Sequence, residues 1–269
     1  MTLLKAAVTR ASGLVDRVAP PPAGITILIY HRVGGGSTSA VDLDPALFDE
    51  QLAMLASDFR VITLGAAIDE LAKPAREHQP GVVLTFDDGT VDFTEVAVPL
   101  LVRHGLPATL YAATEFIDAG DDFPWGAPPT SWAALRDARS TGLIEVGSHT
   151  HSHRLLDRLD ASTVADDLQR SIDLIENNVG ACPLDFGYPK AVAGSPAAEI
   201  EVRRRFRSAA LASNRVNRAG HADVHRLGRT PIQTSDTGSL FRAKAGGGMR
   251  LEGQLRSAAA RLRYRRATR

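Results

Sequence analysis

The chain is nearly free of cysteine, carries no net charge and has no long apolar run. A single cysteine, Cys182, stands among 269 residues. It cannot form an internal disulfide, so the sequence carries no oxidising-compartment signal, and Cys182 reads as a packing thiol. No run approaches the roughly 18–20 apolar residues of a membrane span. Within residues 1–18, Lys5, Thr9, Arg10, Ser12 and Asp16 interrupt any apolar core, so a signal peptide is not expected and a cytoplasmic location is. Lys+Arg and Asp+Glu both number 31. That balance argues against a nucleic-acid partner, which normally calls for a basic excess.

What is present is a regular alternation. Leu4, Val8, Ala11, Val15 and Val18 share one helical face, and Pro20-Pro21-Pro22 then breaks the helix. Ile25 to Tyr30 is a continuous β-branched and aromatic run, the pattern of a buried strand. Further strands are expected at 61–64, 82–86, 108–112, 143–146, 184–186, 208–212 and 225–232. Helices are expected at 45–59, 66–71, 93–104, 131–140, 162–178 and 197–206, with a loop over 118–130. Strands alternating with helices imply parallel pairing in βα units. Seven or eight units suit a closed or nearly closed α/β barrel better than two domains. The expected division is an N-terminal amphipathic helix and Pro-rich linker over 1–22, a barrel over 23–245, and a Gly linker with a basic C-terminal helix over 246–269.

The chemistry lies at the expected strand ends. One apolar run closes on Asp87-Asp88-Gly89, and another leads into His149-Thr150-His151-Ser152-His153. Alone, Asp-Asp-Gly most often marks a turn. Together, two histidines four apart and a carboxylate make a metal set with an open position, the catalytic form of a zinc site. On a helical turn the two imidazoles would share a face. Adjacent carboxylates on extended backbone point opposite ways, so one can bind metal while the other accepts a proton. His31 follows the first strand and reaches the same rim. His151 is expected to face away from the ligands, in a supporting role.

Thr85-Phe86-Asp87-Asp88-Gly89 resembles the first motif of the polysaccharide deacetylases, the NodB-homology family. Residues 148–153 resemble their second motif, and Phe186-Gly187-Tyr188-Pro189-Lys190 their third in a version without arginine. Ile29 to Val33 resembles the opening of bacterial members that act on N-acetylated exopolysaccharides. The resemblance covers roughly residues 25 to 240. It implies a deformed (β/α) barrel of seven or eight units and metal-dependent removal of N-acetyl groups from a glycan or glycoconjugate. By position, Asp87 becomes the base, and Asp88, His149 and His153 hold Zn²⁺ or another divalent metal such as Co²⁺, Ni²⁺ or Mn²⁺. Lys190 becomes an oxyanion donor through its backbone N–H. No late histidine motif is found, so His31 takes the acid role. Arg229, in Leu227-Gly228-Arg229-Thr230-Pro231, stands in for the missing third-motif arginine and would hold Asp87. Tyr188, Lys190 and Trp125 are the candidate substrate contacts.

Two other readings keep the residues and change the task. One is an amide or imide hydrolase of the same fold with a small cyclic substrate, and the other a non-catalytic glycan-binding member. From Arg250 to Arg269 there are seven Arg and one Glu. With Leu251, Leu255, Ala258, Ala259 and Leu262 as an apolar stripe, this segment is expected to pack on the barrel or to touch an anionic membrane surface.

Overall fold

The structure, a computed structural model, describes residues 3–34, 36–74, 79–253 and 255. Seven parallel strands close into a barrel in chain order: β1 (Ile25–Tyr30), β2 (Gly81–Asp88), β3 (Ala108–Ala112), β4 (Ile144–Ser148), β5 (Asp185–Gly187), β6 (Ser208–Ala212) and β7 (Leu227–Pro231). The α/β barrel expected from the sequence is present, with seven units.

The strands are long in β1 and β2 because each is buried on both faces. Successive side chains then divide between two cores. Leu28, Tyr30, Leu84, Phe86 and Leu110 point out to the helix layer, where α2 (Pro45–Asp58) contributes Phe48, Leu52 and Leu55. Tyr30, Phe48 and Phe86 meet there with ring centroids 5.2 to 5.9 Å apart, and such aromatic pairs contribute roughly 0.5–1.5 kcal/mol each beyond area burial. Ile25, Ile27, Val83, Tyr111, Ala210 and Leu227 form the inner core, against which α3 (Leu64–Leu71) packs Leu64, Ile68 and Leu71.

Closure is made by β1 and β7, which pair Ile27 with Arg229, Leu28 with Thr230 and Ile29 with Pro231. Ahead of that register, Asn217 fastens the seam. Its Nδ2 donates to the carbonyls of Ile25 and Gly228, and its Oδ1 accepts from Gly228 N.

Several expectations change. Residues 61–64 are not a strand: only Val61 bridges to Val82, and Thr63 instead caps α3, its side chain accepting from Ala66 N. The helix expected over 93–104 begins as a π-turn, Phe93–Ala97, before α4 (Val98–His104). Pro99 has no N–H to complete the regular ladder, and Val98 N bonds back to Phe93 O. The expected loop at 118–130 overlaps α5 (Thr114–Ala119), too short to show a period. α6 (Trp132–Ser140), α7 (Ala161–Val179) and α8 (Pro196–Arg205) stand where helices are expected. α9 (Gly238–Ala245) was not expected, since it opens on glycine. Cys182 is exposed rather than packed.

α1 (Leu3–Val18) is the expected first helix, but the last turn of its apolar stripe is exposed. Val15 and Val18 are 43% and 81% exposed while Ser12 is buried. The C-terminal segment explains this. Asp16 accepts from Met249 N and pairs with Arg250, and Ser12 Oγ accepts from Glu252 N, so Ser12 and Asp16 turn toward that segment. Residues 250–253 are helical; Ala258, Ala259 and Leu262 lie outside the described residues.

Candidate active site

The strand ends gather the candidate residues. β2 carries Asp87 and Asp88 as its last two residues, and β4 ends one residue before His149. The two carboxylates part at once, because Asp88 takes φ 78 and Gly89 φ 96. Left-handed backbone at a non-glycine costs on the order of 1 kcal/mol or more and persists where surroundings enforce it. Here Ala113 N donates to Asp88 O and Thr130 N to Gly89 O.

Asp87 points into the barrel and is only 4% exposed. Arg229, fully buried, meets it as a fork: NH1 to Oδ1 at 2.6 Å and NH2 to Oδ2 at 2.9 Å. The rest of the guanidinium is also used, since NH1 reaches Thr85 Oγ1 and Nε reaches Leu211 O. Burial pushes the Asp87 carboxyl up, but Arg229, with His149 and His31, more than offsets this and holds it below the ordinary carboxylate value. A bidentate charge-assisted pair of this kind fixes orientation as well as charge.

Asp88 faces the histidines. Its Oδ1 lies 3.2 Å from His153 Nε2 and 3.6 Å from His149 Nε2. Among the described residues, Asp88, His149 and His153 are the group whose ligand atoms all fall within 4.8 Å of one another. The histidines do not share a helical turn, as the spacing alone would suggest. Residues 149–153 form a loop in which Thr150 (φ 70) and His153 (φ 53) are left-handed, and the rings come together at 5.0 Å between centroids. His149 Nδ1 bonds Gly187 O at 2.7 Å, so Nδ1 carries the proton and Nε2 is left bare toward Asp88. Burial pushes the His149 pKa down to about 4, so the ring is neutral at neutral pH, as a ligand must be. Three donors, one bare imidazole nitrogen fixed by its hydrogen bond and a carboxylate held ionised fit a divalent transition metal.

The remaining candidates divide. His31 lies close enough to act electrostatically on both Asp87 and Asp88, and its Nδ1 is buried without a hydrogen-bond partner among the described residues. Trp125 is 40% exposed, stacks on Phe123 at 4.9 Å and presents an edge to His153 at 5.9 Å. Lys190 Nζ sits 4.6 Å over the Trp125 ring, and its backbone is left-handed at φ 54. Tyr188 is not brought to the cluster. Its ring packs on Phe186 in the helix layer with Val202 and Ala198, because Phe186 and Tyr188 both point out of the barrel.

Supporting groups were missed. Asp167, on α7, accepts from His151 N and Ser152 N at 3.0 Å, and Thr150 Oγ1 accepts from His153 N at 2.8 Å. α5 closes the other side: Thr114 N and Glu115 N donate to Thr150 O and His151 O, and Thr114 Oγ1 bonds His151 Nδ1. His151 thus faces away from the ligands and braces their loop. These residues act by position, and nothing in their spacing marks them.

Comparison with known proteins agrees with this architecture. The polysaccharide deacetylase family model matches residues 75–203. YxkH of Bacillus subtilis (strain 168), a protein assigned to the polysaccharide deacetylases, is 24% identical over 169 residues, 62% of this chain and 57% of its own length. The chain thus spans little more than half of that relative. Among solved structures, IcaB from Ammonifex degensii is 27% identical, with TM-score 0.72 over 84% of this chain and 98% of its own. The Streptococcus pyogenes deacetylase PplD gives TM-score 0.73 at 20% identity, over 83% and 99%, a likeness of fold. The polysaccharide deacetylase family model thus matches the motif region of the chain, and a sequence relative of that description and a shared barrel fold accompany the match.

Proposed function

We propose that this protein is a metal-dependent N-deacetylase of a glycan or glycoconjugate. The observation that carries the reading is the split Asp pair, with Asp87 locked by Arg229 and Asp88 set against two histidines. A divalent metal held by Asp88, His149 and His153 would supply Lewis acidity, activating water and polarising the acyl oxygen. Zn²⁺ suits two imidazoles and one carboxylate, and Co²⁺, Ni²⁺ or Mn²⁺ can take the same set.

Asp87, kept ionised by Arg229, takes one proton from water as its oxygen bonds to the acyl carbon. The Lys190 N–H steadies the oxygen of the tetrahedral carbon. His31 gives a proton to the nitrogen as the C–N bond breaks, so acetate and a free amine leave. Trp125, held between Phe123 and Lys190, offers its exposed apolar edge to a sugar ring beside His153.

The test is acetate release from N-acetylhexosamine oligosaccharides with zinc or cobalt added. Asp88→Ala should bind no metal and release no acetate. His31→Ala should keep its metal and lose roughly 100-fold or more in kcat, the usual contribution of one acid. Wild-type activity undiminished by Asp88→Ala would sink the reading.

The proposal extends to location. Leu14, Val15 and Val18 are exposed beside the point where Asp16 ties α1 to Met249 and Arg250. That exposed apolar face, with Arg250 beside it and an arginine-rich sequence following, suits contact with an anionic lipid surface. No described helix is long and apolar enough to cross.

A further inference from the structure

Tyr111 is fully buried inside the barrel, between the two halves of the site. On β3 it stands in register with Asp87 on β2 and with Gly147 on β4. Its ring meets both catalytic supports. The Arg229 guanidinium lies over it, 5.0 Å from the ring centroid, while forking onto Asp87. On β5, Gly187 lies against the same ring and supplies the carbonyl that orients His149.

The fit is close enough to dictate glycine. A methyl group on Gly187 would stand 2.9 Å from two Tyr111 ring carbons and 3.1 Å from His149 Nδ1. One on Gly147 would stand 2.8 Å from another ring carbon and 2.6 Å from Asp185 O. Neither glycine has positive φ, so space rather than backbone conformation excludes a side chain. Two strands have given up their side chains to seat one ring. The hydroxyl takes no part: it is buried and has no hydrogen-bond partner among the described residues.

We propose that Tyr111 is a positioning residue whose ring sets the spacing between the Asp87 carboxylate and the His149 imidazole, with Gly147 and Gly187 as its seat. The flat ring carries the role. Through Arg229 it fixes where the base points, and through Gly187 it fixes the carbonyl that aims a metal ligand. A displacement on either side alters both.

The inference rests on the deacetylase reading for its kinetics but not for its metal spectrum, so two readouts are taken. Tyr111→Phe, Tyr111→Leu, Gly187→Ala and the double Tyr111→Leu/Gly187→Ala are compared in the full chain. Each is assayed for kcat and KM and for the visible spectrum and affinity of bound Co²⁺. Tyr111→Phe should keep kcat within about twofold and lose no stability, since an unpaired buried hydroxyl contributes none. Tyr111→Leu should lose roughly 10–100-fold in kcat with little change in KM, the scale of a misplaced reacting group. Its Co²⁺ spectrum should shift. Gly187→Ala should do the same alone, and the double variant should lose less than the two single losses combined, because both changes disturb one ring-to-glycine contact.

An unshifted Co²⁺ spectrum with full kcat in Tyr111→Leu overturns the proposal. So does a Tyr111→Phe variant as impaired as Tyr111→Leu, which would hand the role to the hydroxyl. Should Tyr111→Leu fail to fold, Tyr111→Phe and Gly187→Ala still decide: a harmless Gly187→Ala refutes the seat. Wild-type protein that binds Co²⁺ but releases no acetate defeats the deacetylase reading and leaves this one to the spectrum.

Discussion

At the scale of the residue, the site depends on a charge that could not survive alone. Asp87 is buried and ionised only because Arg229 spends two donors on it. Removing one partner of a buried pair leaves the other uncompensated, at about 3–5 kcal/mol. Arg229→Leu is therefore expected to destabilise the fold by that amount, read by urea unfolding. Adding Asp87→Asn should recover much of it. Arg229→Lys separates the functions. A single ammonium can neutralise the carboxylate but cannot clamp both oxygens. Its kcat should fall roughly tenfold or more while metal is still bound, because Asp88, His149 and His153 all remain. Equal kcat in the lysine variant would show that orientation by the fork is dispensable.

At the scale of the element, the seam between β1 and β7 is the place to press. Asn217 satisfies two backbone carbonyls and one N–H that the short register leaves over. Asn217→Ala removes the partners of the Gly228 N–H and carbonyl, while Ile25 O keeps the backbone N–H of residue 217, and each unsatisfied group costs about 1–3 kcal/mol. A loss near 3 kcal/mol in chemical denaturation is expected, with far-UV dichroism of the native state preserved. The same elements show what the sequence reveals. Buried parallel strands are continuous apolar runs, so Ile25–Tyr30 and β2 could be read directly. Val61 to Leu64 has the same texture, but Thr63 offers its hydroxyl to Ala66 N and starts a helix instead. α5 and α9 are too short to show a period, and the second opens on a glycine. In the site, the residues with distinctive chemistry were legible: Asp87, Asp88, His31, His149, His153 and, through family resemblance, Arg229. Asp167, Thr114 and Tyr111 were not, because they contribute by where they stand. Tyr188 misled because strand alternation turns it outward.

At the scale of the molecule, the proposed metal joins the ends of β2 and β4 and should act on the stability of the whole barrel. Any ligand bound only by the folded state at about 100 times its Kd adds about 2.7 kcal/mol. For a domain of this size that is a Tm rise of roughly 5–10 °C. Zinc should produce this rise in the wild-type protein and none in Asp88→Ala. A second prediction concerns the exposed apolar end of α1 and the arginine-rich C-terminal sequence. The protein should co-sediment with phosphatidylglycerol vesicles, much less with phosphatidylcholine, and the binding should weaken as salt is raised. Val18→Glu should reduce it without affecting acetate release. Equal recovery with both lipids would remove electrostatics from the account.

The barrel is zipped shut by its last strand, and that strand carries Arg229 opposite Ile27 on the first. Order of synthesis therefore matters. A nascent chain that has emerged only through β6 already owns Asp88, His149 and His153, but its Asp87 has no counter-charge. The arginine arrives with the strand that completes the cylinder. Arming the base and closing the fold are one event, so a half-made chain could capture metal but would have no oriented base with which to hydrolyse.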